Sequence, residues 1–493
     1  MSYYLRMQTT PPANGAAGRP RSSLSRGHRQ AYARRRFAGA AVLLALLAAI
    51  GLGAYFALRP AEAPVRTLVS VTTAPPTSVA ATIPNGAPQS LELASTPVGA
   101  QLTITLQDES TLTGTTPFSA QVPGGNITIS LAKTGYNTTV RELALNGPQS
   151  LTVWLDPQGL LYQSLVRFKC GPQPKQVVFS PDGKELWVSL LAGNGIEVFD
   201  PTTGTKLDQV TLGKYGSVEM VFNRAGTRLY VSQMETASVY ELDPATRKVL
   251  RVFKTGGSWT KVLLLSRDEK TLWASNWSSN DVSEIDLVTG KLVRRIKTVA
   301  NPRGLYETPD GKRLFVAGFK NGEIQRIDLA TGQGNVIFKK AGGSMRHIVA
   351  DEQRDLLYLD DLTTNAVRVL DLATEKVTKL ADTDQRPNTI GLSPDRKVLY
   401  VSCRGRDNPK TYLTPGPEWG SVLAIDTATG KILDAIVGGN QCTGLDVSPD
   451  GKLLVFSDFL DDTIRTYTIP DYEILAAGSG GRAVAHLKDL AKN

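Results

Sequence analysis

A tight turn of the form Ser-Pro-Asp-Gly recurs along most of this 493-residue chain, and its spacing constrains the fold more than any other feature. It stands at Ser180-Pro181-Asp182-Gly183, with variants beginning at Asn223, Ser266, Thr308, Asp351, Ser393 and Ser448, at intervals of 43, 43, 42, 43, 42 and 55 residues. A second anchor, Asp-Xaa-Xaa-Thr-Gly or a variant, starts at Asp200, Asp243, Asp286, Asp328, Asp371 and Asp426, with Thr468 in the seventh place. Four short β-rich runs fill each interval; in the third they are Lys261–Leu265, Leu272–Ser275, Val282–Ile285 and Leu292–Lys297. Four strands every ~40–45 residues predict the blades of a β-propeller, and seven such units close a ring. The long last interval places an insertion at about Arg404–Gly420, in the sixth blade.

The repeats resemble the YVTN family of seven-bladed propellers, as in Leu229-Tyr230-Val231-Ser232 and Leu399-Tyr400-Val401-Ser402, each followed by an Asp-led turn. The resemblance implies a propeller over residues 157–478 and says little about function. The repeated Asp and Gly are turn formers, the Asp carboxylate bonding nearby backbone N–H groups. Two segments compete to complete the blade that joins the chain ends: Leu161–Phe168 and Tyr472–Ala476.

Upstream, Ser90–Asp156 alternates apolar and polar residues in short runs separated by Gly/Pro turns, which predicts a small antiparallel sandwich over residues 89–156. Ser95-Thr96-Pro97-Val98-Gly99-Ala100, Gly114-Thr115-Thr116-Pro117, Pro123-Gly124 and Lys133-Thr134-Gly135-Tyr136 resemble the PEGA family in order and spacing. That resemblance implies an extracytoplasmic β-module without catalytic machinery. The expected class is all-β, with one transmembrane helix ahead of it. Phe37–Leu58 is 22 residues without a charge; at a rise of ~1.5 Å per residue it spans ~33 Å, enough for a bilayer core. Arg34-Arg35-Arg36 precede it, so the positive-inside rule predicts a cytoplasmic tail at 1–36, a span at 37–58, and export of the rest across a bacterial inner membrane into the periplasm. A cleaved signal peptide fits less well, because the Ala61-Glu62-Ala63 site is followed by Pro64. Residues 59–88 are Pro/Ala/Thr-rich and read as a linker, and 479–493 as a C-terminal tail.

The formal charge of +9 is a property of the tail: residues 1–36 carry eight Arg, leaving 47 basic against 46 acidic residues. A generally basic DNA-binding body is therefore not expected, and export argues further against nucleic acid as a partner. Three cysteines without a CxxC pair exclude a disulfide-dense scaffold and a zinc ribbon. No GxSxG, P-loop or HExxH is present, and His28, His347 and His486 are too scattered for a metal cluster, so no catalytic residue, metal or cofactor is assigned.

Aligning the blades exposes candidates instead. The fifth residue before each turn is Lys175, Val218, Lys261, Arg303, Arg346, Asn388 and Thr443; the next is Gln176, Glu219, Val262, Gly304, His347, Thr389 and Gly444. These positions open the innermost strands and ring the mouth of the central channel. The second strands end on the same face at Leu191, Met234, Trp277, Phe319, Asp361, Arg404 and Phe459. A candidate site follows for an anionic ligand: Lys175, Glu219, Lys261, Trp277, Arg303, Phe319, Arg346, His347, Asn388, Arg404 and Phe459. Tyr412 and Trp419 of the insertion are expected to form a lid. The competing reading pairs the basic residues internally with Glu219 and Asp360. Cys403 and Cys442 fall on the same face of adjacent blades, which suggests a disulfide in an exported domain. A membrane-anchored binding or scaffolding protein is the leading expectation, for an anionic envelope ligand or a protein partner. The alternatives are a lactonase-like hydrolase using Glu219, Arg303, Arg346 and His347, and a single-stranded nucleic-acid binder.

Overall fold

A computed structural model describes residues 86–478 and 481–492. The basic tail, the apolar span Phe37–Leu58 and most of the linker lie outside the described residues, and among the described ones no helix is long and apolar enough to cross a membrane.

The N-terminal domain has six strands: β1 (Gly86–Thr96), β2 (Gln101–Thr105), β3 (Thr111–Thr115), β4 (Phe118–Ala132), β5 (Thr139–Leu145) and β6 (Gln149–Trp154). They lie in the order β3-β2-β4-β1-β6, with β5 also on β4. The first half of β4 pairs with β1 and the second half with β2 and β5, so one 15-residue strand serves both layers. Pro123-Gly124-Gly125, expected to be a turn, is instead the bend inside that strand; Gly125 sits at φ +126°. The expected all-antiparallel arrangement is also revised, because β6 runs parallel to β1. Alternate residues Leu91, Leu93, Leu102, Ile104, Ile127, Ile129 and Leu131 point inward and fill the core.

The rest of the chain forms seven four-stranded sheets. In the third blade the strands are Thr260–Leu265, Thr271–Asn276, Asp281–Asp286 and Lys291–Lys297, each overlapping a run read from sequence. The inner strands stand next to one another around the ring, and that of blade seven, Cys442–Val447, packs against that of blade one, Pro174–Phe179. Between blades lie apolar clusters such as Trp273, Val282, Ile296, Leu305, Leu314 and Val316, where each fully buried side chain contributes ~1.5–3 kcal/mol relative to exposure.

The turns behave as their composition requires. Asp182 Oδ1 accepts from Ser180 Oγ at 2.6 Å, and Gly183 adopts φ +74°. Asp200 Oδ1 accepts from the N–H groups of Thr202 and Thr203 at 2.7 and 3.1 Å. The Ser of the second-strand motif has a ring-building role. Ser232 Oγ accepts from Glu219 N in its own blade and donates to Lys261 O of the next at 2.6 Å. Ser189, Ser402 and Ser457 donate in the same way to Val218 O, Thr443 O and Pro174 O, at 2.8, 2.9 and 3.1 Å. In blade five the equivalent residue is Asp360.

β7 (Gln163–Lys169) closes the ring by pairing antiparallel with Thr463–Thr468. The competing segment, Tyr472–Ala477, is a helix whose one fully buried residue is Leu475. Beyond it the tail passes along the outer strand of blade six, Ile432–Val437, covering an otherwise open sheet edge. Its end meets the insertion: Trp419 N donates to Leu490 O at 2.8 Å, and Glu418 bridges Ala491. His486 Nε2 lies 2.9 Å from Asp384 Oδ2 and is buried there.

Candidate functional site

The inner strands of blades four to six bring Arg303, Arg346, His347 and Asn388 together with Glu219, Val262 and Thr389 around a cavity of only about 10 Å³, close to the room that one water needs. Arg346 Nε donates to Asn388 O at 2.6 Å, and Asn388 Nδ2 donates to Thr443 O at 3.1 Å. His347 is a hydrogen-bonded acceptor: its Nδ1 takes the N–H of Ile390 at 3.3 Å, and burial lowers its pKa. Asp360 Oδ1 accepts from His347 N at 2.6 Å. Three buried atoms in this channel have no hydrogen-bond partner: Arg303 Nε, Asp360 Oδ2 and Asn388 Oδ1. Unpaired buried polar atoms are uncommon in native folds and mark this part of the ring as special.

The electrostatics are those of a crowded cationic cluster. Burial lowers the Lys175 pKa well below its ordinary value, and the charges of Arg346 and Arg303 lower it further. Burial, then Arg303, brings Arg346 down to about 9. Burial lifts Asp360 to about 7 against the pull of Arg346. Lys175, Arg303, Arg346 and Arg404 thus gather near Glu219 and Asp360, with Lys261 beside Arg303 on the Trp277 ring, and Arg404 also pairs with Asp407 at 3.6 Å.

The predicted aromatics assemble beside these cations. Lys261 Nζ lies 4.1 Å and the Arg303 guanidinium 5.5 Å from the Trp277 ring centroid, and Trp277 packs on Phe319 at 4.7 Å. Lys175 stands 5.5 Å from Phe459, which is buried, and Arg404 stands 5.2 Å from Tyr412 while bonding Gln441 Oε1. Charged groups over aromatic faces are attracted to the ring quadrupole. Two expectations need correction. Of the lid pair, only Tyr412 reaches the mouth; Trp419 turns to the C-terminal tail. Cys403 and Cys442 are free thiols. Cys403 lies in the apolar layer between blades five and six, and Cys442 in the layer between six and seven, so the sheet of blade six separates them. Blade alignment also passed over Trp259 and Gln441, each two residues before a compared ring position. Lys261 lies 5.8 Å from the Trp259 ring, and both residues adopt positive φ, 60° and 62°. The same alignment shifted by two residues finds them.

No family model matches the sequence. Antigen Lp49 of Leptospira interrogans (serogroup Icterohaemorrhagiae, serovar copenhageni) is 36% identical over 356 residues, covering 69% of this chain and 77% of that protein. The chain belongs to the Lp49 antigen family. This Lp49-family chain also shares 31% identity over 104 residues with the uncharacterised protein YncE of Salmonella typhi and Salmonella typhimurium, 21% of its own length and 29% of theirs. Among solved structures, the Kuenenia stuttgartiensis hydrazine synthase superposes on 61% of the Lp49-family chain and 97% of its own, with a TM-score of 0.53 and 21% identity, a likeness of fold alone.

Proposed function

We propose that this Lp49-family propeller is a membrane-tethered, extracytoplasmic binding protein whose channel mouth takes the anionic group of an envelope ligand or protein partner. One observation carries the reading: Lys175, Arg303 and Arg346 stand against Glu219 and Asp360 on one buried rim, where burial and then neighbouring guanidinium groups lower the Lys175 and Arg346 pKa values. Such a surplus is costly in the free protein and is relieved when a carboxylate or phosphate docks, where Arg binds bidentately. The 10 Å³ cavity admits no bulky group, so the ligand sits on the rim, against Trp277 and Phe319, with its charge directed at the ring. The uncharged segment Phe37–Leu58 behind Arg34-Arg35-Arg36 supports the tether.

The test is thermal stabilisation of the protein by citrate, inositol hexaphosphate and polyglutamate at low and high salt. A ligand at 100 times its Kd adds ~2.7 kcal/mol. The expected shift falls as salt rises and is lost in the Arg303→Ala/Arg346→Ala variant. A shift that survives in that variant, or none with any probe, overturns the reading.

A further inference from the structure

A second recess lies on the same face, out at the seam between blades six and seven. It is an open groove with about 600 Å³ of accessible space. Its walls combine loops of blades six and seven, Gly438–Asn440 and Leu460–Asp462, with the closing strand and one residue of the insertion. The insertion in blade six supplies Trp419. The C-terminal tail braces that residue: Leu490 O accepts from Trp419 N at 2.8 Å, and Lys492 Nζ lies 4.4 Å from the indole centroid. The closing strand β7, which leads out of the N-terminal domain, supplies Arg167 and Lys169. The insertion and the closing strand thus meet in one groove, and the tail packs behind Trp419.

The groups around it are held in place. Arg465 Nε bonds Asp458 Oδ2 at 2.7 Å, and Arg167 lies 4.0 Å from the same oxygen while its guanidinium covers the Trp154 ring at 4.4 Å. The Asp461 carboxylate accepts from Asn440 N and Nδ2 at 2.7 and 2.6 Å, and Asp462 Oδ1 accepts from Gln173 N at 2.8 Å. Groups fixed before binding lose little freedom on it. The charges largely offset one another: Arg167, Lys169, Arg465 and Lys492 stand against Asp461, Asp462 and the buried Asp458 beneath them. That balance separates the groove from the mouth, because a polyanion gains little here. Lys492 covers one face of the indole, and the ring's other face beside paired planar donors and acceptors suits a neutral polyol, whose C–H face lies on it while adjacent hydroxyls bridge guanidinium and carboxylate edges.

We infer that this groove is a saccharide-binding site, with Trp419 as the stacking platform and Arg167, Arg465, Asp461 and Asp462 as the hydroxyl-bonding groups. The site is independent of the mouth and does not rest on the function proposed for it.

The experiment is calorimetric titration of the full-length protein, in a detergent without a sugar headgroup, with trimers and tetramers of glucose, mannose and N-acetylglucosamine and of glucuronate. At least one neutral oligosaccharide binds, with an affinity indifferent to salt. Trp419→Ala weakens it about tenfold or more, and Arg167→Ala does the same. Trp419→Phe, which keeps an aromatic face and guards against misfolding as the cause, stays within about threefold. The citrate response of the mouth persists in Trp419→Ala, so loss of one site is told from loss of the other. Three results overturn the inference: no neutral oligosaccharide binding, binding untouched by Trp419→Ala, or binding confined to glucuronate and abolished by salt.

Discussion

Replacing Lys175 by Met tests whether the mouth is a strained cationic cluster. The Lys175 pKa is lowered first by burial and then by Arg346 and Arg303, with the Glu219 carboxylate opposing them. A Lys whose folded pKa lies below its unfolded value destabilises the fold at low pH, and the penalty fades as pH climbs from the folded value towards ~10.4. Met keeps the apolar stem beside Phe459 and removes the charge. Substituting apolar residues of similar volume for buried ion pairs is often neutral or gains ~1–4 kcal/mol. The lower half of that range applies here, since the attractions to Glu219 and to the Phe459 ring, 5.5 Å away, are lost as well. At roughly 2 °C per kcal/mol for a domain of this size, Lys175→Met melts about 2–4 °C higher at pH 7. The advantage shrinks by pH 10, by at most ~1.4 kcal/mol per pH unit, because above the folded pKa the folded lysine has lost its proton while the unfolded one still holds it. Differential scanning calorimetry at the two pH values measures both effects. A variant less stable than the parent at pH 7, or a gap of equal size at both pH values, refutes the account of the ring as self-repelling.

Three further perturbations probe other parts of the molecule. Ser232→Ala removes a donor to Lys261 O and an acceptor for Glu219 N; it should cost ~1–3 kcal/mol in urea unfolding, and a cost near zero would show that the serines do not tie the blades. Although burial opposes it, the hydrogen bond and charge of Asp384 hold the His486 pKa above 6.5. The tail contact is therefore strongest below about pH 6.5 and weakens as pH rises through the folded value; limited proteolysis should release the C-terminus faster at pH 8.5 than at pH 6, and at both in His486→Ala. Cys403 and Cys442 are buried with thiol pKa values raised by burial, so native protein should protect both from iodoacetamide and denatured protein should alkylate all three cysteines. A cross-linked Cys403–Cys442 peptide in non-reducing mass mapping would contradict the structure.

What could be read from sequence follows a physical boundary. The Ser-Pro-Asp-Gly and Asp-x-x-Thr-Gly turns are local devices, complete within five residues, so their spacing announces the blades without tertiary information. The cationic ring was legible for the same reason: a fixed offset from a turn gives height along a strand. Height does not say which layer a side chain enters, and that is why Cys403 and Cys442, level on adjacent blades, lie either side of one sheet. The helix Tyr472–Ala477 defeated a strand reading because the place it would have taken belongs to β7, a competition decided 300 residues away. Trp419 and Lys492 have no counterparts in other blades, so comparison between repeats was blind to the groove they build.

Closure by β7 gives the molecule a mechanical axis. The polypeptide enters the ring through the strand whose pairing completes it, so any tension arriving through the N-terminal domain is delivered to Gln163 and runs lengthwise along β7. It is resisted by the ladder to Thr463–Thr468, whose bonds lie across the line of pull and must yield together rather than one at a time. The clasp between the domains shares the load: Ser164 N bonds the buried Asp156 carboxylate at 2.7 Å, and Arg141 bonds Ser164 O. A propeller held this way takes up force first at its seam, beside the groove.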